Sequence, residues 1–182
     1  MTSPFPIALK LAGKKCLVVG SGEEAALRKS ALEAAGASVL VAEREFRPEL
    51  LDGVWLAVLT DRDTELAARM ASAADERRVF FCAVDQPDYG SYSHLAITRA
   101  GPLFAAIGTQ GEVPALARRL RELLDELFAT SGFAAFAESL ARIRKRTPAE
   151  RRRQVLNAAV ESVRLEGRLV LPETTEDDAR GT

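Results

Sequence analysis

The segment KCLVVGSGEEAALRKSALEAAGASVLVAE, residues 15–43, constrains this chain more than any other stretch. Its apolar run CLVV meets Gly20-Ser21-Gly22 with no polar residue in between. Runs of this kind belong to parallel strands, whose two faces are both covered by helices. EEAALRKSALEAAG then has helical composition and closes on Gly36, a suitable helix stop. ASVLVAE follows as a second, valine-rich strand. Strand, glycine turn, helix and strand make a βαβ unit, and the chain commits here to an α/β fold with a Rossmann-type parallel sheet.

The turn itself reads G-S-G-E-E-A, with Gly20 and Gly22 followed by Ala25 in the third place. Gly20 suits the tight turn, Gly22 lets a backbone approach a pyrophosphate, and Ala25 allows close helix–strand packing. The helix N-terminus adds a favourable dipole for an anion. Glu43, at the end of the second strand, stands where an acid bonds the adenine-ribose hydroxyls. A carboxylate there favours NAD over NADP, because a 2′-phosphate would face like charge. Read from the residues alone, the turn is a dinucleotide site or a structural turn without a ligand, and Glu43 is a ribose contact or an ordinary strand-end charge.

The pattern continues. VWLAVLT (54–60) is a third strand, ending at Thr60-Asp61 on the edge where open α/β sheets bind ligands. TELAARMASAADERR is a helix, and VFFCAVD (79–85) a fourth strand ending in Asp85. The connection EREFRPELLDG is too short for another strand-and-helix repeat. QPDYGSYS (86–93) breaks the alternation, and HLAITR (94–99) and LFAAIG (103–108) read as paired strands around the turn AGP. Pro114 opens a helix with Leu116, Leu120, Leu123, Leu124 and Leu127 on one stripe and Arg118, Arg119 and Arg121 elsewhere. Another helix is expected over about 133–145, with Phe133, Phe136, Leu140 and Ile143 at helical spacing. Thr147-Pro148-Ala149-Glu150 has the form of a capping box, predicting a last helix to about Glu166. From Pro172 the tail lacks apolar periodicity and is expected to be disordered.

Composition narrows the function classes. The 182 residues suit one domain with an appendage, or two small ones. A net charge of -1 gives no reason to expect nucleic-acid binding. The average hides a split: residues 109–172 hold 12 Lys and Arg against 8 Asp and Glu, whereas residues 1–108 hold 12 against 14. No apolar run reaches the length of a membrane span, and the N-terminus lacks the features of a signal peptide. Cys16 and Cys82 lie in strand-like runs without CxxC partners, which fits a reducing cytoplasm rather than a disulfide or zinc framework. With His94 as its one histidine, the chain has no site needing two. For His94 itself, a hydrogen bond near the hairpin start is the plainer reading than metal delivery or proton transfer.

Four pieces in order resemble a known family. They are VVGSGEEAALRKSALEAAGA after FPIALKLAGKKC, then WLAVLTDRDTEL, FCAVDQP and IGTQGEVPALARRLRELL, covering most of residues 5–127. Together they are similar to the precorrin-2 dehydrogenase/sirohydrochlorin ferrochelatase family, the N-terminal part of sirohaem synthase. The resemblance implies a homodimer with an NAD-binding Rossmann domain (1–93), a dimerisation region of two strands and a helix (94–130) and a small C-terminal helical domain (131–171). It implies NAD-dependent dehydrogenation of precorrin-2 to sirohydrochlorin, with Fe²⁺, or Co²⁺, as a substrate ion where chelation follows. The catalytic carboxylate it carries over is Asp85, in the V-D-x-P setting. Its nucleotide contacts map to Gly20, Ser21, Gly22, Glu23, Thr60, Asp61 and Val84. A noncatalytic tetrapyrrole-binding or regulatory homologue, keeping the Rossmann dimer, is the competing expectation.

The implied substrate is a polycarboxylate, so its site is expected to hold guanidinium groups. Arg118, Arg119 and Arg121 qualify, with Thr109 in the neighbouring turn; the run from Arg142 to Arg153 is a further candidate, or a solvated face. The chain departs from the family pattern in three places. A strand is lacking between Val41 and Trp55, Glu65-Leu66-Ala67 stands where an asparagine is usual, and Thr109-Gln110-Gly111 and Val113 replace a glycine pair and a serine.

Overall fold

A computed structural model describes residues 4–43 and 45–171. The tail from Pro172, expected to be disordered, lies outside the described residues. The chain begins with the expected βαβ unit: β1 (Lys15–Val19), α1 (Gly22–Ala34) and β2 (Ser38–Ala42). There follow β3 (Val54–Leu59), α2 (Thr64–Glu76) and β4 (Phe80–Ala83). These strands form one sheet of order β2-β1-β3-β4, parallel at every pairing. Strand alternation divides the core between its two faces. Leu17, Val19, Ala57 and Leu59 pack with Met70, Ala67 and Phe81 on the α2 side. Cys16, Val18, Leu56 and Val58 pack with Ala25 and Leu32 on the α1 side.

β2 is a sheet edge, and its Leu40 and Val41 are exposed. The short connection after it holds a 3-10 turn, Pro48–Leu51, that drives Leu51 and nearby Phe46 into the α2-side core. The other edge, β4, is covered by its own following loop. Ser91 accepts the Phe81 N–H on its hydroxyl at 2.9 Å and returns its own N–H to the Phe81 carbonyl at 2.8 Å. Edge groups satisfied this way are closed to further strands.

A hairpin of β5 (Ala96–Ala100) and β6 (Leu103–Ile107) follows, then α3 (Pro114–Thr130), α4 (Phe133–Arg146) and α5 (Ala149–Val160). The chain divides into two compact units, one reaching Arg99 and including Phe104–Leu127, the other made of Ala100–Leu103 and the chain from Phe128. In the first unit the buried Thr98 hydroxyl donates to Asp125 of α3, and Asp125 pairs with Arg121 at 2.5 Å. In the second, Phe128 stacks on Phe133, and α4, α5 and the hairpin tip line an apolar groove of about 440 Å³.

Three local expectations are corrected. β4 stops at Ala83 rather than Asp85, because Asp85 takes a φ of 58° and the Gln86 N–H closes a turn onto the Ala83 carbonyl. Thr147 does not cap α5: its hydroxyl donates to the Ile143 carbonyl at 2.7 Å, ending α4, and Pro148 stands at the N-cap. α5 stops at Val160, short of Glu166. There the Arg164 guanidinium takes the Glu161 and Val163 carbonyls, which a continuing helix would have offered to backbone N–H groups.

Candidate functional site

Ladder bonds run past the strand ends and bring three segments to one level on the C-terminal edge. The Gly20 N–H reaches the Ala42 carbonyl, the Thr60 N–H reaches Val19 and the Val84 N–H reaches Leu59, each at 2.9 Å. Gly20, Thr60 and Val84 therefore stand side by side in the order their strands impose. The Val84 side chain packs against the α1-side core, so what it offers the edge is backbone.

Gly20 has a φ of 127°, and a Cβ there would stand 2.1 Å from Thr60 Oγ1 and 2.8 Å from Asp61 Oδ1. Only glycine fits between the β1 turn and the end of β3. Gly22, at φ 79°, has no atom within 4 Å of where a Cβ would stand, so the turn is open on that side. Ser21 is the N-cap of α1 with extended backbone and makes no side-chain capping bond. Its N–H instead donates to Asp61 Oδ1 at a long 3.4 Å. Glu23 lies exposed in the first turn of α1.

A cleft of about 210 Å³ opens beside this turn, lined by Gly20, Ser21, Gly22, Ala25, Lys29, Val41 and Glu43 among others. The structure thus brings Glu43 to the glycine turn. Lys29, which the sequence reading did not select, also faces the cleft while pairing with Glu33 at 2.9 Å. It is one helical turn beyond Ala25, a spacing that would have found it. The turn, the open space above Gly22 and the positive end of α1 suit a dinucleotide pyrophosphate.

Asp85 lies beyond β4, two strands from β1. Its Oδ2 accepts from Arg62 Nη2 at 2.5 Å, with both side chains largely exposed (59% and 78%). Gln86 bridges the same segments: its Nε2 donates to the Asp61 carbonyl at 3.1 Å, and its buried Oε1 has no partner among the described residues. Neither Arg62 nor Gln86 was selected from the sequence. Both lie in segments that carry the resemblance, WLAVLTDRDTEL and FCAVDQP, but their contacts come from pairing across strands far apart in the chain.

The candidate substrate residues fall in other settings. Arg121 is engaged by Asp125 and Glu122, and Arg119 pairs with Glu122 at 3.5 Å. Arg118 is exposed and has no ion pair among the described residues. Thr109 Oγ1 accepts the Val113 N–H at 3.3 Å, closing the turn before α3 over Gln110 and Gly111, both at positive φ.

His94 packs edge-on to Tyr92, with ring centroids 5.2 Å apart. Although the residue keeps solvent-accessible surface, desolvation of the ring, then the Arg28 charge, lowers its pKa to about 4. Burial raises the Tyr92 phenol above its ordinary range. Burial likewise pushes the Cys16 and Cys82 thiols up, so neither offers a thiolate. Among the described residues no group of three or more His, Cys, Asp or Glu could hold a metal ion, and no helix is long and apolar enough to cross a membrane.

A parallel sheet carrying this turn at the end of β1 defines a Rossmann-type NAD(P)-binding protein. A family model described as NAD(P)-binding matches residues 7–94. Sirohaem synthase of Chromobacterium violaceum is 36% identical over 68% of this chain and 30% of its own length. Sirohaem synthase of Sodalis glossinidius is 31% identical over 96% of this chain and 43% of its own. The solved structure of SirC, precorrin-2 dehydrogenase, shares the fold with a TM-score of 0.68 at 19% identity, over 87% of this chain and 90% of that one. By sequence the chain is thus similar to sirohaem synthases, and by fold to precorrin-2 dehydrogenase. It spans less than half the length of the curated relatives it matches.

Proposed function

We propose that this chain dehydrogenates precorrin-2 to sirohydrochlorin, with NAD⁺ as the acceptor. The observation that carries the reading is the Asp85 carboxylate on the same sheet edge as the glycine turn, turned out of β4 by its left-handed backbone. Gly20, Ser21, Gly22 and Glu23 would hold the pyrophosphate, with Thr60, Asp61 and Val84 along the rest of the cofactor. Glu43, lining the cleft, would take the adenine-ribose hydroxyls, which favours NAD over NADP.

The reaction removes a hydride and a proton from the tetrapyrrole. Gly20, Ser21 and Gly22 would hold a nicotinamide dinucleotide, which would supply the hydride acceptor. The proton goes to Asp85, whose exposed carboxylate can pass it on to water. Binding both molecules side by side supplies much of the remaining rate, through orientation. Arg118, Arg119, Arg121 and Thr109 remain candidates for the substrate carboxylates, Arg118 with its guanidinium free of ion pairs among the described residues. Fe²⁺ or Co²⁺ would be a substrate of a following chelation, with Asp85 accepting pyrrole protons.

A homodimer and a reducing cytoplasm complete the proposal, with residues 1–93 as nucleotide domain, 94–130 as dimerisation region and 131–171 as helical domain. Exposed Ile97 and Phe104 on the hairpin, Val113 in the turn after it and Leu116 on α3 support that use of the central region. Light scattering of the purified chain reads the dimer directly. The decisive assay is anaerobic: precorrin-2 with NAD⁺, followed by absorbance, then with Fe²⁺ or Co²⁺ added. Asp85→Asn should abolish most sirohydrochlorin formation while NADH binding persists. Tetrapyrrole binding without turnover or nucleotide binding would replace this proposal with a noncatalytic carrier.

A further inference from the structure

Asp61 and Arg62 are consecutive, yet they serve opposite sides of β3. Asp61 turns back to β1, where its carboxylate meets the Ser21 N–H. Arg62 reaches the other way and meets Asp85 beyond β4. The Gln86 amide holds the Asp61 carbonyl between them, so the backbone that launches both side chains is tied to the β4 turn. β1 and β4 are separated by β3, which puts the phosphate turn about 10 Å from the β4 end at ordinary strand spacing. A guanidinium that reaches Asp85 has therefore moved away from the pyrophosphate position and toward the reacting group.

From this we infer that Arg62 is the residue that receives a carboxylate of the tetrapyrrole substrate, with Asp85 as its placeholder in the free protein. The inference rests on the proposed function. A guanidinium fork matches a carboxylate, and here one Nη2 contact to Asp85 leaves most of its donors unused. Both partners are largely exposed, and exposed ion pairs are weak, so exchange of one carboxylate for another is cheap. On exchange, Arg62 anchors the rim of the substrate and Asp85 is released beside the carbon and nitrogen atoms that lose protons. This gives the substrate's peripheral acid a direct part in exposing the base. Neither Arg118 nor the ion-paired Arg119 and Arg121 offers such a coupling.

The test uses the full chain with Arg62→Ala and Arg62→Lys. Four quantities are read: KM and kcat for precorrin-2 under anaerobic conditions, sirohydrochlorin affinity by absorbance titration, and NADH affinity by fluorescence. Losing one charge-assisted carboxylate contact should raise KM and weaken sirohydrochlorin binding by about tenfold or more. Arg62→Lys should recover part of this, and NADH affinity should stay unchanged in both. Unaltered KM and sirohydrochlorin affinity would overturn the inference. So would a loss confined to NADH affinity, which would assign Arg62 to the nucleotide. If the wild-type chain binds sirohydrochlorin without turning over precorrin-2, the proposed function fails while the titration alone still decides Arg62. A wild-type chain that binds no sirohydrochlorin refutes both.

Discussion

Substituting Gly20 by alanine places a methyl group where the ends of two strands already touch. The new Cβ would lie 2.1 Å from Thr60 Oγ1 and 2.8 Å from Asp61 Oδ1, well inside normal contact. The backbone at φ 127° is itself a glycine conformation, and holding alanine there costs about 1–3 kcal/mol. Displacing Thr60 gives up its 3.3 Å hydroxyl bond to the Val19 carbonyl, about 0.5–1.5 kcal/mol. Overpacking against the end of β3 adds about 1–3 kcal/mol. The expected loss is thus about 2.5–7.5 kcal/mol, a large part of a typical domain's stability. Gly22→Ala is the matched control. It meets nothing within 4 Å, so only its left-handed backbone counts, about 1–2 kcal/mol. Urea unfolding followed by circular dichroism compares the two, with NADH fluorescence reporting the turn. Equal destabilisation by the two variants would refute the steric argument, because they differ chiefly in what the added methyl meets.

Three further outcomes are expected. Glu43→Ala should narrow the preference for NADH over NADPH by about tenfold, since it removes the carboxylate facing a 2′-phosphate; an unchanged ratio in binding titrations places Glu43 outside the site. Asp125→Ala leaves the buried Thr98 hydroxyl without its partner and removes the shorter of the two ion pairs of Arg121, so the urea midpoint should fall by the equivalent of about 1–3 kcal/mol, whereas a loss no larger than for the exposed Glu112→Ala would deny the network a structural role. His94 has a folded pKa of about 4, below its ordinary 6.5, so the unfolded chain takes up the proton first as pH falls. Its contribution is complete above pH 6.5 and is lost between there and pH 4; His94→Asn should flatten that part of the stability–pH curve, and parallel curves would refute it.

Much of the fold was legible because parallel strands leave a strong local trace. CLVV, WLAVL and FFCA are apolar without interruption, since helices cover both of their faces, and each appears as a strand in the expected place. Helix ends were harder to read. Thr147 has the right spacing for a capping box, but its hydroxyl found the Ile143 carbonyl behind it first. α5 ended early because the Arg164 side chain satisfied carbonyls locally. Such competition between side chain and backbone turns on geometry that residue types do not encode.

The candidate site divides along the same line. By itself the sequence determined the glycine turn and the strand-end positions of Glu43 and Thr60-Asp61, because each lies in a short segment whose folding is local, whereas Asp85 was singled out by the family resemblance. Only the tertiary structure decided that Gly20 admits no methyl, that Asp61 faces the turn while Arg62 faces Asp85, and that Gln86 ties β3 to β4. Those relations join residues brought together by strand order. Strand order is settled by which apolar faces bury one another, and no single segment carries that information.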